Sequence, residues 1–489
     1  MASQETTYDL LILGGGPTAF AAALRAKELG KTAVMVEDRM LGGTCVNRGC
    51  LPSKNLIEAA RLVFDAAHPR YPGLTPARLA LDFPALVAQK DDIIRDYREQ
   101  HYAGILDASD GAGGNPIQIV EGRAVLVDQH MVEVTSSGGH VRLLSGDQVL
   151  IATGSLPFLP DIPGLADVPY LTSDLLTSQE DLELTELPPS LMIIGGGYIA
   201  LELGQMFSRL GSQVTILERS ERILKGEEPE ISLALMDILL DEGVRIVTDA
   251  HIRQVSGDAN RIILVADVGN KPRHFTAAKL LVAAGRSPNT VGIGLDQARV
   301  HLNEQGSVQV DSYLRTNITH IWAAGDVIGS GIESQMATPI GAYDGGIAAS
   351  NALGGALRQA DHSVIPRAVF TDPEVAIVGI TDEEATARGI ECQCQAIPIS
   401  AVPRAGATRY TPGVIKMVIE RATHRVLGVS MVGTNAHEVI HEAAMGLRFR
   451  ATIDDFIDMI HVYPSMAEAL KIVSISFSKD YTKLSCCAT

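Results

Sequence analysis

Tyr8-Asp9-Leu10-Leu11-Ile12-Leu13-Gly14-Gly15-Gly16-Pro17-Thr18-Ala19 is the stretch from which the fold can be read. An apolar strand runs into three glycines, and the small-residue segment Phe20 to Leu29 continues as a helix. The next strand, Thr32 to Val36, ends at Glu37, 23 residues after Gly14. Glycines at the turn let backbone approach a pyrophosphate, the helix N-terminus offers free N–H groups, and an acid at that distance reaches ribose hydroxyls. Gly14, Gly16, Ala19 and Glu37 are therefore candidate dinucleotide contacts. The pattern recurs in Leu191-Met192-Ile193-Ile194, followed by Gly195-Gly196-Gly197-Tyr198-Ile199-Ala200 and the strand Gln213 to Leu217 with Glu218 behind it. Two complete fingerprints mean two dinucleotides, the requirement for passing hydride between them.

Between the fingerprints lies Gly42-Gly43-Thr44-Cys45-Val46-Asn47-Arg48-Gly49-Cys50-Leu51-Pro52-Ser53-Lys54. Residues five apart in an ideal helix are separated by ~7.5 Å along its axis, beyond the roughly 7 Å that an unstrained disulfide tolerates. Gly49 relaxes the segment, and Pro52 would clash with the carbonyl of Arg48 in a continuous helix. The expectation is an irregular first turn, then a helix from about Pro52 to Arg61. A thiol pair beside a redox cofactor can hold two electrons. The C-terminal Ser485-Cys486-Cys487-Ala488-Thr489 brings a second pair on a chain end, where two thiolates suit a soft cation.

These motifs resemble the flavin disulfide reductase family, which shares the G-G-T-C-x4-C-x-P-S-K segment; the tail pair resembles the branch of that family that reduces mercury(II). The resemblance spans Tyr8 to Cys487. It implies an α/β chain with two Rossmann-like dinucleotide-binding domains, one for FAD and one for NAD(P), plus an α+β C-terminal dimerisation domain. The expected division is 1–155 and 285–360 for the discontinuous FAD domain, 156–284 for the NAD(P) domain and 361–489 for the dimerisation domain with its tail. Many mercury(II)-reducing relatives carry an extra N-terminal metal-binding domain, which this chain is expected to lack.

The resemblance also assigns roles. Cys50 lies against the flavin as a charge-transfer thiolate, and Cys45 meets the substrate. Lys54, paired with Glu202, points at the flavin. Gly43, Thr44, Thr153, Gly154 and Asp326 join the FAD contacts, with Asp326 on the ribityl chain. Gly195, Gly197, Ala200, Glu218, Arg219, Lys225 and Gly285 fall to the nicotinamide coenzyme. Glu218 would repel a 2′-phosphate, whereas Arg219 and Lys225 fall where NADPH-using relatives place cations, so NADPH is expected with NADH possible. Tyr198 either gates the nicotinamide pocket or packs against the sheet.

One departure decides the substrate class. Disulfide reductases carry His-Pro and then Glu near the C-terminus, and here the segment is Tyr463-Pro464-Ser465-Met466-Ala467-Glu468. A phenol of pKa about 10 is a poor proton shuttle near neutrality. Loss of the His speaks against a dihydrolipoamide dehydrogenase-like or glutathione reductase-like reaction, the nearest alternative. It leaves two-electron delivery to a metal ion unharmed. The expectation is an enzyme reducing Hg(II), presented as a thiolate complex, to Hg(0), with Cys45, Cys50, Cys486 and Cys487 as metal ligands and Tyr463, Glu468 and the tail supplied across a homodimer.

Composition bounds the rest. A net charge of −18 argues against nucleic acid or an anionic membrane as partner. The N-terminus lacks a basic region, and no apolar run reaches the roughly 18 residues of a membrane span. Six cysteines in 489 residues make no disulfide scaffold; a redox pair and a free tail pair fit a reducing cytoplasm. His437-Glu438-Val439-Ile440-His441 matches a zinc-protease pattern but lacks an obvious third ligand. Cys392-Gln393-Cys394 would place both thiols on one face of a strand, as structure or as a minor metal site.

Overall fold

The computed structural model describes residues 7–104, 117–177, 184–330, 335–354 and 357–483. The segment Asp107 to Pro116, whose Gly, Asp and Asn content reads as a loop, and the tail cysteines Cys486 and Cys487 lie outside the described residues.

The first fingerprint builds a mixed sheet. Strand Thr7–Leu13 pairs in parallel with Ala33–Glu37 on one side and with Val141–Ile151 on the other, and Ile117–Glu121 extends it beyond Ala33–Glu37. Val141–Ile151 does two jobs. Its first half pairs antiparallel with Met131–Thr135, and its second half pairs in parallel with Ile321–Ala323. Leu10 to Leu13 are buried on both faces, as a parallel strand covered by helices requires. Helix Pro17–Glu28 lies against helix Thr338–Leu353 so closely that a Cβ on Gly345 would sit 2.2 Å from the carbonyl oxygen of Thr18.

The second fingerprint builds a parallel sheet in the order Arg245–Val247, Gln213–Leu217, Ser190–Ile194, Lys279–Val282, Tyr170–Leu171. A three-stranded antiparallel sheet, Ala250–Gly257, Ile262–Val268 and Lys271–Ala277, covers it and shares a core with it. The chain passes from the first sheet toward the second at Ser155–Pro157 and returns at Arg286–Pro288, and these two segments pair antiparallel.

The third sheet is antiparallel, ordered Arg367–Val369, Glu374–Gly379, Val426–Gly433, Val414–Glu420, Cys392–Pro398. Its apolar face packs on helices Ala436–Arg448, Ile453–Asp458 and Glu468–Ile475. Its other side meets the second unit, where Val375, Ile377 and Val432 join a core with Leu201, Met206 and Leu56. Among the described residues no helix is long and apolar enough to cross a membrane.

Around the cysteines the sequence expectation needs one correction. The segment is two helices, Gly43–Arg48 and Cys50–Ala67, broken at Gly49 (φ −125°, ψ −103°). The second helix starts at Cys50, two residues before Pro52. Proline is tolerated in a first helical turn, where its missing N–H would have no intrahelical partner, so Pro52 does not mark the boundary; Gly49 does.

Candidate active site

The two glycine turns are built alike. Gly14 (φ +119°) and Gly195 (φ +111°) bring the backbone against the carbonyls of Ala152 and Ala283, each of which a Cβ would meet at 2.4 Å. The Glu37 carboxylate accepts from the N–H of Gly15 at 2.7 Å and of Arg39 at 2.9 Å. Glu218 repeats the arrangement with Gly196 at 2.6 Å and Ser220 at 2.7 Å. Each acid therefore fixes the turn that precedes its own strand, and burial pushes the Glu37 carboxyl up. Ala19 and Ala200 are fully buried where the helices cross their sheets.

Gly14 to Thr18, Glu37, Gly43, Thr44, Cys45, Thr153, Gly154, Asp326 and Thr338 line one cavity of about 250 Å³. Gly43 (φ +62°) lies so near Gly16 that a Cβ there would sit 2.7 Å from the Gly16 Cα. The cradle is open to a pyrophosphate only because these positions lack side chains. At its far end the Ser155 hydroxyl donates to Asp326 at 2.6 Å, and the Arg286 Nε donates to Ser155 Oγ at 2.7 Å. The cavity fits FAD in lining and in the bare backbone at its glycine end.

Cys45 and Cys50 come together across the Gly49 break. Cys50 begins the helix Cys50–Ala67, at its positive end. Its pKa is brought down to about 6, first by the hydrogen bond from Cys45, against the opposing effect of burial, and then by the Lys54 charge and Thr338. The same hydrogen bond, followed by burial, pushes Cys45 far above the ordinary thiol range. Thr338 Oγ1 is 3.8 Å from Cys50 Sγ. The reduced pair is thus polarised, with Cys50 the readier thiolate and Cys45 the more strongly held thiol.

Lys54 Nζ lies 2.7 Å from Glu202 Oε2 and 4.5 Å from the centroid of the Phe370 ring. Glu202 is buried on helix Tyr198–Leu210, and its second oxygen accepts the Phe370 N–H at 2.9 Å. One carboxylate therefore touches the cysteine helix, the second glycine unit and the third sheet's edge. Tyr198 donates to Glu227, whose other oxygen is 2.8 Å from Arg367. Burial and the Glu227 charge push the Tyr198 phenol upward, so it stays protonated.

The chain can now be set beside known proteins. Residues 8–346 match the family described as pyridine nucleotide-disulphide oxidoreductase, and residues 365–473 match the dimerisation domain of that family. The chain belongs to the pyridine nucleotide-disulphide oxidoreductases. It is 40% identical to a mercuric reductase of Streptomyces lividans over the whole of both chains. It is 39% identical to one of Lysinibacillus sphaericus over 99% of this chain and 85% of that one. Among solved structures, the Cu(II) complex of an HOCl-induced flavoprotein disulfide reductase from Escherichia coli aligns with a TM-score of 0.84 at 30% identity, covering 97% of this chain and 100% of that one. This oxidoreductase is accordingly an FAD-dependent enzyme that draws electrons from NAD(P)H.

The remaining expected residues of this oxidoreductase are more scattered. Arg219 and Lys225 are exposed beyond the second glycine turn, and Gly285 (φ +128°) adjoins the strand Arg286–Pro288. Tyr463 is 48% exposed, and Glu468 accepts the Ser465 N–H at 3.1 Å, closing its own helix start. His461 is turned away to Glu442 at 2.9 Å. His437 faces Glu374 at 3.2 Å, and His441 is exposed. Sequence reasoning missed Thr338, Glu227, Arg367, Phe370 and Ser155. The dipeptide Thr338-Pro339, a helix-start signal, was the one local hint among them.

Proposed function

We propose that this chain reduces Hg(II), delivered as a thiolate complex, to Hg(0). The observation that carries the reading is the polarised pair Cys45–Cys50 combined with Tyr463 where a disulfide-cleaving relative has its histidine. Bound FAD supplies the two-electron relay between NAD(P)H and the thiol pair. Cys50 holds negative charge beside Lys54, and Lys54 is kept in place by Glu202. Cys45 stays protonated as the outer thiol until a metal ion replaces its proton. Tyr198, fixed by Glu227 and Arg367, covers the approach of the nicotinamide ring. Glu37 and Glu218 hold the two glycine turns that receive pyrophosphates. NADPH is the preferred donor because Arg219 and Lys225 offer charge to a 2′-phosphate.

A thiolate complex of Hg(II) is passed on by ligand exchange, and Cys486 and Cys487 are the first acceptors in this proposal. Their position near a chain end suits a carrier. The partner subunit's tail serves each Cys45–Cys50 pair, in a homodimer located in the cytoplasm. The proposed division of labour follows residues 1–155 and 285–360 for FAD, 156–284 for NAD(P)H and 361–489 for dimerisation.

The test is anaerobic NADPH oxidation with Hg(II) in excess glutathione, with volatile mercury trapped and quantified. One Hg(0) per NADPH is expected, with glutathione disulfide and lipoamide giving little turnover. NADPH consumption without volatile mercury, or faster turnover of a disulfide, would sink the proposal.

A further inference from the structure

Cys392 and Cys394 lie on the edge strand Cys392–Pro398, outside everything assigned above. Their backbones pair with Glu420 and Val418, so the ladder holds both residues extended and points both side chains to one face. Both thiols converge on one residue of the neighbouring segment. Cys392 Sγ donates to the Asp382 carbonyl oxygen and Cys394 Sγ to Asp382 Oδ2, each at 3.8 Å. Cys394 is exposed and Cys392 partly so.

We propose that Cys392 and Cys394 form a second dithiol site, one that chelates a soft, two-coordinate cation such as Hg(II). Two magnitudes favour a bridging metal over a disulfide. Alternate residues on a strand are about 6.6 Å apart at Cα, near the upper limit for a disulfide, whose sulfurs must close to about 2.05 Å. Two metal–thiolate bonds of about 2.3 Å each hold their sulfurs about 4.6 Å apart when linear, which a strand can supply without leaving its ladder.

The donor pair selects a soft ion. Two thiolates suit a soft ion, and the nearest carboxylates already share one ammonium. Lys416, 2% exposed, sits 2.8 Å from Asp382 Oδ2, 2.8 Å from Glu228 and 3.0 Å from Glu230. A bis-thiolate of a divalent ion is neutral, like the dithiol it replaces, so binding leaves the charge of this cluster unchanged. Loading is a simple exchange: the complex Hg(SR)2 and two cysteine thiols give the protein-bound bis-thiolate and two RSH, each cysteine proton leaving on a displaced thiolate. No electrons move, and the site needs neither FAD nor NAD(P)H.

The experiment uses the holoenzyme without NAD(P)H, so it is independent of the reductase reading. In the variant with Cys45, Cys50, Cys486 and Cys487 all replaced by Ala, one Hg(II) per chain should survive gel filtration in glutathione. Adding Cys392→Ser alone, or Cys394→Ser alone, should lower retention at least tenfold, the signature of a chelate. A tenfold excess of Zn(II) should not displace the mercury. Absence of retained mercury in the four-residue variant, retention that survives either single change, or displacement by Zn(II) overturns the proposal. Should that variant fail to fold, wild-type holoenzyme titrated with Hg(II) gives the same answer by iodoacetamide footprinting. Cys392 and Cys394 should become protected together, with one midpoint, and separate midpoints or no protection refute the site.

Discussion

Cys45 and Cys50 are the same residue type a few positions apart, yet their acidities diverge because one donates to the other. The hydrogen bond from Cys45 stabilises the Cys50 thiolate, and Lys54 adds a positive charge anchored by Glu202. The shift is downward, so the thiolate is present above about pH 6 and is lost as pH falls through that value. Lys54→Met removes a stabilising charge and leaves the Cys45 donor, so the Cys50 pKa should climb by about one unit. The pH dependence of Cys50 alkylation in the reduced holoenzyme, resolved by peptide mapping, checks this. An unchanged midpoint would mean that Lys54 does not act on the thiol. The cysteines were legible in the sequence because their motif is local. Thr338, which faces Cys50 from 288 residues away, was not; neither was Phe370, which reaches Glu202 across 168. No local pattern encodes such a meeting.

At the scale of elements, the glycines do what side chains elsewhere do: they set distances. Helix Thr338–Leu353 approaches helix Pro17–Glu28 through Gly341 and Gly345, and Gly325 joins the same contact, all against Thr18. Gly345→Ala would place a methyl 2.2 Å from a backbone oxygen that cannot rotate away. The helices must then separate, at a cost of about 1–3 kcal/mol for overpacking. A lower denaturant midpoint and faster loss of bound flavin are expected, and a variant indistinguishable from wild type in both would show that the two helices have room to move apart. The four strands of the two fingerprints were located to within a residue, since apolar runs and glycine turns are written locally. The start of helix Cys50–Ala67 was misplaced because Pro52 looked like a boundary, when a proline inside a first turn carries no such meaning.

Across the whole molecule, the third sheet is tied to the second glycine unit by buried charge. Arg209 forms a two-pronged pair with Glu242 at 2.6 and 2.8 Å and reaches Asp372 at 2.8 Å. The opposite face, around helix Ala436–Arg448, is different. Phe449, Ile460 and Val462 are 74%, 93% and 80% exposed, and His461 pins their two segments together through Glu442. An apolar surface of this kind marks an association site, and it lies in the region matched to the family's dimerisation domain. Ile460→Asp with Phe449→Asp should shift sedimentation toward the monomer and depress Hg(II) turnover. Mixing Cys45→Ala subunits with Cys486→Ala/Cys487→Ala subunits should restore partial turnover, because each heterodimer then holds one intact site. Heterodimers that form yet stay inactive would place each tail with its own thiol pair. None of this face could be recognised from hydropathy alone, because Ile460 and Val462 alternate as buried strand residues do.

Ser155–Pro157 and Arg286–Pro288 lie side by side, so the long segment between them is closed at its base. A long segment spliced between two neighbouring points asks little of its host, since the entropy of closing a loop grows only slowly with its length. The host sheet keeps its strand order whatever fills the gap, because Val141–Ile151 and Ile321–Ala323 pair on the near side of both crossings. The segment between the two crossings is therefore an insertion whose length the host sheet tolerates, and the Cys45–Cys50 pair stays in the host.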